Sequence, residues 1–180
     1  MKMNIANKLT LLRVVLVPVF VFFYLASFIP SPLRDWICLA VFVIASLTDL
    51  VDGRLARKLN IVTDFGKFMD PLADKLLVCS ALILFVSDHR VAVWIVLILI
   101  AREFIISGFR LVAAGKGVVI AAGIWGKLKT TVQMCAVVGL LAPISFPWYQ
   151  ILCQILIYIS AVLSIISVVD YIWKNRSVLA

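Results

Sequence analysis

The stretch "DLVDGRLARKLNIVTDFGKFMDPLAD", Asp49 to Asp74, holds five carboxylates, in a chain with only 9 Asp and Glu among 180 residues. It interrupts two apolar runs, "WICLAVFVIASLT" before it and "LLVCSALILFV" after it. Such an interruption is either a solvated loop of a soluble protein or a connection between two helices that cross a bilayer.

Composition decides between the two. The chain is 64% hydrophobic and only 14% charged, with a mean hydropathy of +1.16, whereas about a quarter of the residues of a soluble domain are charged. An integral membrane protein follows, and the length fits a single domain over residues 1–180. Six apolar runs approach the roughly 20 residues that a spanning helix requires. They cover Leu9 to Ile29, Asp35 to about Arg57, Asp70 to Ser87, Val91 to about Val112, Leu128 to Ile144, and Trp148 to Trp173. The expected fold is therefore all-α, with six transmembrane helices. The N-terminal run is not read as a cleaved signal, because "YLASFIPSP" places bulky residues and prolines where a small-residue cleavage site belongs.

Cation placement sets the orientation. Of the 17 Lys and Arg, all but Arg34 and Arg90 fall at the N-terminus, the second connection, the fourth connection or the C-terminus, with the adjoining helix ends. The positive-inside rule then puts both termini and the Asp-rich connection in the cytoplasm. A net charge of +8 also suits a surface beside anionic lipid headgroups. Nucleic acid is excluded as a partner, since no stripe of alternating basic and aromatic residues is present. Cys38, Cys79, Cys135 and Cys153 are scattered singly through apolar runs and read as small hydrophobes. The sole histidine, His89, reads as a solvated residue of an outer loop.

Within the opening stretch, Asp49, Asp52, Gly53, Ala56 and Arg57 fall at offsets 0, 3, 4, 7 and 8, one face of an α-helix. The helix is expected to run past the glycine, so that Gly53 and Ala56 form a trough where a ligand approaches the backbone. Asp70 followed by Pro71 reads as an N-cap and a first-turn proline opening the third span. Asp74 shares a face with Asp70, while Asp64 and Gly66 are assigned to the short connection. Antiparallel packing of the second and third spans would gather the four helical aspartates, which would repel one another unless a cation neutralised them. Hard oxygen ligands in that number suit two divalent cations, Mg²⁺ or Mn²⁺. Such a pair is suited to phosphoryl transfer. The competing reading pairs the acids with Arg54, Arg57, Lys58, Lys67 and Lys75 as a solvated loop.

The segment reads D-x2-D-G-x2-A-R-x8-G-x3-D-x3-D and resembles the signature of the CDP-alcohol phosphotransferase family at Asp49, Asp52, Gly53, Ala56, Arg57, Gly66, Asp70 and Asp74. The resemblance implies that Asp49, Asp52, Asp70 and Asp74 bind two divalent ions. Asp74 would also be the base that takes the acceptor's hydroxyl proton, and Gly53, Ala56 and Arg57 would line the CDP site. "NKLTLLR", "AREFIISGFR" and "GKLKTTVQM" are similar to the branch whose donor is CDP-diacylglycerol and whose acceptor is sn-glycerol 3-phosphate. It implies a cytoplasm-facing active site in the bacterial inner membrane, surrounded by membrane lipids and releasing CMP.

Arg110, Lys127 and Lys129 are the candidates to bind the acceptor's phosphate. Cations at cytoplasmic helix ends are equally what orientation alone requires. Asn7, Thr10 and Arg13 share one stripe of the first helix and are candidates for substrate contacts or interfacial anchoring, and Lys75 is a further candidate contact. Arg102 and Glu103 read as an intramembrane ion pair or a substrate contact. Pro18 reads as a kink. Rival functions are the same family with inositol phosphate, serine or phosphatidylglycerol as acceptor, a prenyl diphosphate transferase, and a divalent-cation transporter. Oligomeric state is open, with a homodimer among the options.

Overall fold

The structure is a computed structural model that describes residues 5–58, 64–118, 120–121 and 123–176, with side chains described for 11–48, 72–73, 75–118, 120–121 and 123–176. Among the described residues every regular element is an α-helix: α1 Ile5–Leu25, α2 Ser31–Lys58, α3 Asp64–Ser87, α4 Val93–Gly115, α5 Ile124–Leu141 and α6 Pro147–Lys174. These follow the six apolar runs. The chain divides into two compact units, one of residues 1–84 with 141–143 and one of residues 85–140 with 144–180.

In the first unit α1 packs on α2. Phe20, fully buried, meets Phe42 with ring centroids 5.9 Å apart and Tyr24 at 6.0 Å. Pro18 lies inside α1, which continues to Leu25. The turn at "ASFIPSP" ends α1, and the Arg34 N–H donates to the Pro30 carbonyl at 3.0 Å to open α2. Pro32 in the first turn forfeits only an N–H that has no intrahelical partner there. Near the acidic end of α2, Ser46 and Thr48 donate back to the carbonyls of Phe42 and Ile44, at 2.8 and 2.7 Å. Their hydroxyls are thereby satisfied without water.

α2 runs unbroken past Gly53 to Lys58, as the stripe of small residues and acids implies. The start of α3 differs from the sequence expectation. The helix begins at Asp64, so Asp70 is no N-cap, Pro71 lies in the third turn, and Gly66 belongs to the helix. Asp70-Pro71 is an ambiguous sign, because a proline beyond the first turn removes one backbone bond without necessarily ending the helix. Flanking residues that continue the helical path override it.

In the second unit α4 packs on α6 through Ile106, Phe109, Ala113 and Tyr171. Phe109 and Tyr171 make an edge-to-face contact at 5.6 Å. At Gly139, a Cβ would lie 2.7 Å from Cys153 Sγ, so glycine is what lets α5 and α6 approach there. The four cysteines are free thiols, two of them buried.

Among the described residues, two helices end in the same left-handed cap. After α4, Gly117 has φ 74, the Val118 N–H reaches back to Ala113 and the Gly117 N–H to Ala114. After α3, His89 holds the equivalent place with φ 56, the Arg90 N–H bonding Phe85 and the His89 N–H bonding Val86. The left-handed conformation suits glycine, and an L residue pays a steric penalty for it. Arg90, next in the chain, donates to the Leu140 carbonyl at 2.7 Å at the C-terminal end of α5, where a cation matches the helix dipole. The Arg90 carbonyl in turn accepts from Gln154.

Length and composition qualify two of the helices as membrane spans, α2 over Ser31–Thr48 and α6 over Pro147–Lys174. The described apolar parts of α1 and α3, Leu11–Leu25 and Lys75–Ser87, are shorter. This is fewer than the six expected from the apolar runs. The physical reason in α4 is charge, since Arg102, Glu103 and Arg110 lie within its 23 residues. α5 has only 18 residues and includes Lys127 and Lys129. Trp148 and Trp173 stand near opposite ends of α6, 64% and 70% exposed, the placement of aromatic residues at the two membrane interfaces.

Candidate active site

The aspartates fall on two helices of the first unit. Asp49 and Asp52 belong to the last third of α2, with Gly53, Ala56 and Arg57 on the turns that follow. Asp70 and Asp74 are one turn apart on α3. Helical register therefore puts each pair on one face of its own helix. Their side chains, and those of Gly53, Ala56 and Arg57, lie outside the described residues, as do those of Asn7 and Thr10 on α1. Lys75, on α3, is half-buried. Arg13 is 1% exposed, which separates it from a cation that snorkels to an interface.

The second unit contributes a polar cluster. Glu103 Oε1 receives two cations, Arg102 Nη1 at 2.9 Å from its own helix and Lys129 Nζ at 2.5 Å from α5. Lys129 is 2% exposed, so its ammonium has left water for that carboxylate. Arg102 Nη2 donates to Ser167 Oγ on α6 at 3.0 Å. Gly126, one turn before Lys129, makes room for this, since a Cβ there would lie 2.9 Å from Arg102 Nη2 and 3.5 Å from Ser167 Oγ. Three helices are thus joined by one carboxylate, two cations and one hydroxyl. Buried charges persist in proteins when paired and hydrogen-bonded in this way.

Arg110, two turns beyond Arg102, is exposed, and its Nε donates to the Tyr171 hydroxyl at 3.2 Å with the guanidinium 5.7 Å from the ring centroid. Tyr171 holds that cation in place by hydrogen bond and cation–π attraction. Lys127 is exposed, on the turn that also presents Lys129. The three candidate acceptor cations therefore differ: Lys127 faces outward, Arg110 rests on an aromatic ring, and Lys129 is drawn inward to Glu103.

The pattern of the chain matches the family model for CDP-alcohol phosphatidyltransferase over residues 3–166. The chain belongs to the CDP-alcohol phosphatidyltransferase family. It is 42% identical to a CDP-diacylglycerol–glycerol-3-phosphate 3-phosphatidyltransferase of Bacillus subtilis, with 96% of this chain and 95% of that protein covered. Proteins of the same description from Haemophilus influenzae and Yersinia enterocolitica are 43% and 42% identical, covering 96% and 97% of this chain and 93% and 98% of theirs. Membership in this membrane-bound family, with two apolar helices long enough to span, makes the chain a membrane protein.

Against the family background, the sequence reading singled out Asp49 to Asp74 and left Arg102 and Glu103 undecided between ion pair and substrate contact. The structure has them as an ion pair that extends to Lys129. Gly126, Ser167 and Tyr171 escaped the sequence reading. Gly126 stands before the apolar run that opens at Leu128, and only the start of α5 at Ile124 makes it a glycine inside a helix, which marks a close approach when it is not a cap. Ser167 and Tyr171 look like any residues of an apolar helix until their partners are known.

Proposed function

We propose that this protein is a phosphatidylglycerophosphate synthase, which transfers the phosphatidyl group of CDP-diacylglycerol to sn-glycerol 3-phosphate and releases CMP. The observation that carries this is 42% identity over nearly the whole of a CDP-diacylglycerol–glycerol-3-phosphate 3-phosphatidyltransferase, with every fixed position of the acidic signature present. On this reading all six helices cross the bacterial inner membrane, both termini are cytoplasmic, and the active site faces the cytoplasm. Each charge within α4 and α5 is then buried among helices or set at a membrane face, as charges within spans are.

The donor set fits hard divalent cations: four carboxylates in two helical pairs, with no soft ligand at the fixed positions of the motif. Asp49, Asp52, Asp70 and Asp74 would hold two such ions, Mg²⁺ or Mn²⁺, which supply neutralisation of the pyrophosphate charge and of the departing CMP. The small residues Gly53 and Ala56 leave room for the nucleotide beside α2, and Arg57 binds its phosphate. Asp74 accepts the proton of the attacking hydroxyl as it bonds to the phosphorus of the phosphatidyl group. Arg110, Lys127 and Lys129 bind the acceptor's phosphate dianion, and Asn7, Thr10, Arg13 and Lys75 complete the substrate contacts. Proximity and orientation of two bound substrates provide the remaining rate advantage. A homodimer is compatible with this scheme and no step depends on it.

The test is an assay of the purified protein with CDP-diacylglycerol and radiolabelled sn-glycerol 3-phosphate, with serine and inositol phosphate as competing acceptors. Labelled phosphatidylglycerophosphate and equimolar CMP are expected. Preference for another acceptor would overturn the assignment.

A further inference from the structure

Glu103 has no assigned part in the reaction above, yet its carboxylate is the junction of the polar cluster in the second unit. One oxygen, Oε1, accepts from both Arg102 and Lys129. A lysine ammonium on four rotatable bonds is a poor locator of a small dianion unless something fixes it. Glu103 does so at 2.5 Å, and its own position is fixed from the other side. Arg102 is clamped by Ser167 at 3.0 Å and fits only because residue 126 has no side chain. Ser107 Oγ, one turn on, donates to the Glu103 carbonyl and adds a further hydroxyl to the same turn of α4.

We propose that Glu103 is the positioning residue of the acceptor site: it holds Lys129 in place for the phosphate of the acceptor, and the seat formed by Gly126 and Ser167 holds Arg102, and through it Glu103. The proposal rests on the assignment of Lys129 to the acceptor. It explains a link between two short segments of the sequence, "AREF" on α4 and "GKLK" on α5, whose residues meet in this one cluster.

The test uses the full-length protein in lipid nanodiscs, with KM measured separately for donor and acceptor. Glu103→Gln keeps the shape of the side chain and removes its charge. The acceptor KM should rise about tenfold, the size of one lost charge-assisted hydrogen bond, while the donor KM stays within about twofold by the same scale. Glu103→Asp, which keeps the charge, should recover most of the loss, because the lysine stem can follow a carboxylate withdrawn by one methylene. If Glu103→Gln lowers the melting temperature and leaves both KM values unchanged, the ion pair is scaffolding only and the proposal is wrong. Should Glu103→Gln fail to fold, Ser167→Ala releases one arm of Arg102 with little loss of volume. A smaller rise in acceptor KM alone supports the proposal, and an unchanged value overturns it. Failure of the functional assignment is distinct, since the wild type would then not use sn-glycerol 3-phosphate at all.

Discussion

The acidic ends of α2 and α3 and the cluster joining α4, α5 and α6 both place charge in a predominantly apolar chain, and they do so in opposite ways. The first gathers five carboxylates among four cations, Arg54, Arg57, Lys58 and Lys67, and repeats four of the acids at helical spacing, a set of hard ligands that suits a cation from outside. The second sets one carboxylate between two cations 2.9 and 2.5 Å away, so much of its compensation is internal. On the proposed function the acids at helical spacing receive a ligand, whereas the cluster around Glu103 holds its own side chains still. On that view the first unit carries the reacting centre and the second carries precision.

The contrast can be broken experimentally, most sharply in the acidic region. Asp70→Asn should lower kcat by about a hundredfold or more, the scale of losing one electrostatic contributor to a transition state, and EDTA should abolish turnover of the wild type. Full turnover in EDTA would end the case for an external cation. Less drastically, Arg110→Ala should raise the acceptor KM about ten- to a hundredfold, from roughly 1.5 to 3 kcal/mol of lost charge-assisted bonding. Donor KM should hold. Equal effects on both substrates would show Arg110 to be a general anchor of that end of α4.

Packing within the mixed cluster gives the next effect in size. Gly126→Ala brings a methyl group within 2.9 Å of Arg102 Nη2, and overpacking of this kind costs about 1–3 kcal/mol. The thermal midpoint in detergent should fall, and activity should return partly when Arg102→Lys is added to shorten the opposing side chain. Without that return, the glycine matters for another reason. The smallest effect lies outside both clusters. His89→Gly should stabilise the protein by about 1 kcal/mol, because the left-handed cap at φ 56 then carries no side chain. A loss of stability there would mean that the imidazole makes a contribution larger than its backbone penalty.

The two regions also differ in how far the sequence discloses them. Carboxylates at i, i+3 and i, i+4 with small residues between them are visible as spacing, because helical periodicity turns sequence distance directly into a shared face. The continuation of α2 past Gly53 was legible for the same reason. The start of α3 was not: Asp-Pro is a strong local sign of a helix beginning, and it was outweighed by the helix-compatible residues before it. The cluster around Glu103 was legible only as a charged pair at adjacent positions. Lys129 sits 26 residues along the chain from Glu103, and Ser167 65 residues from Arg102, and nothing local specifies such distances. Lys129 illustrates the difference. Topology placed it at a cytoplasmic helix end, as it did Lys127, and only packing separates the exposed cation from the buried one.

α5 and α6 stand side by side in chain order with very unequal lengths, 18 and 28 residues. At 1.5 Å per residue they rise about 27 and 42 Å, against a hydrocarbon layer of roughly 30 Å. With both helices spanning, as the proposed function has it, α6 would have to lean in a thin membrane and α5 would pull the surrounding lipid inward in a thick one. Gly126 and Lys129 lie in the first turns of α5, so on the proposed function a mismatch at α5 bears on the end of the helix assigned to the acceptor. Bilayer thickness thereby becomes a variable of the enzyme, and turnover in vesicles of graded acyl-chain length should pass through a maximum near the thickness that suits its shortest helix.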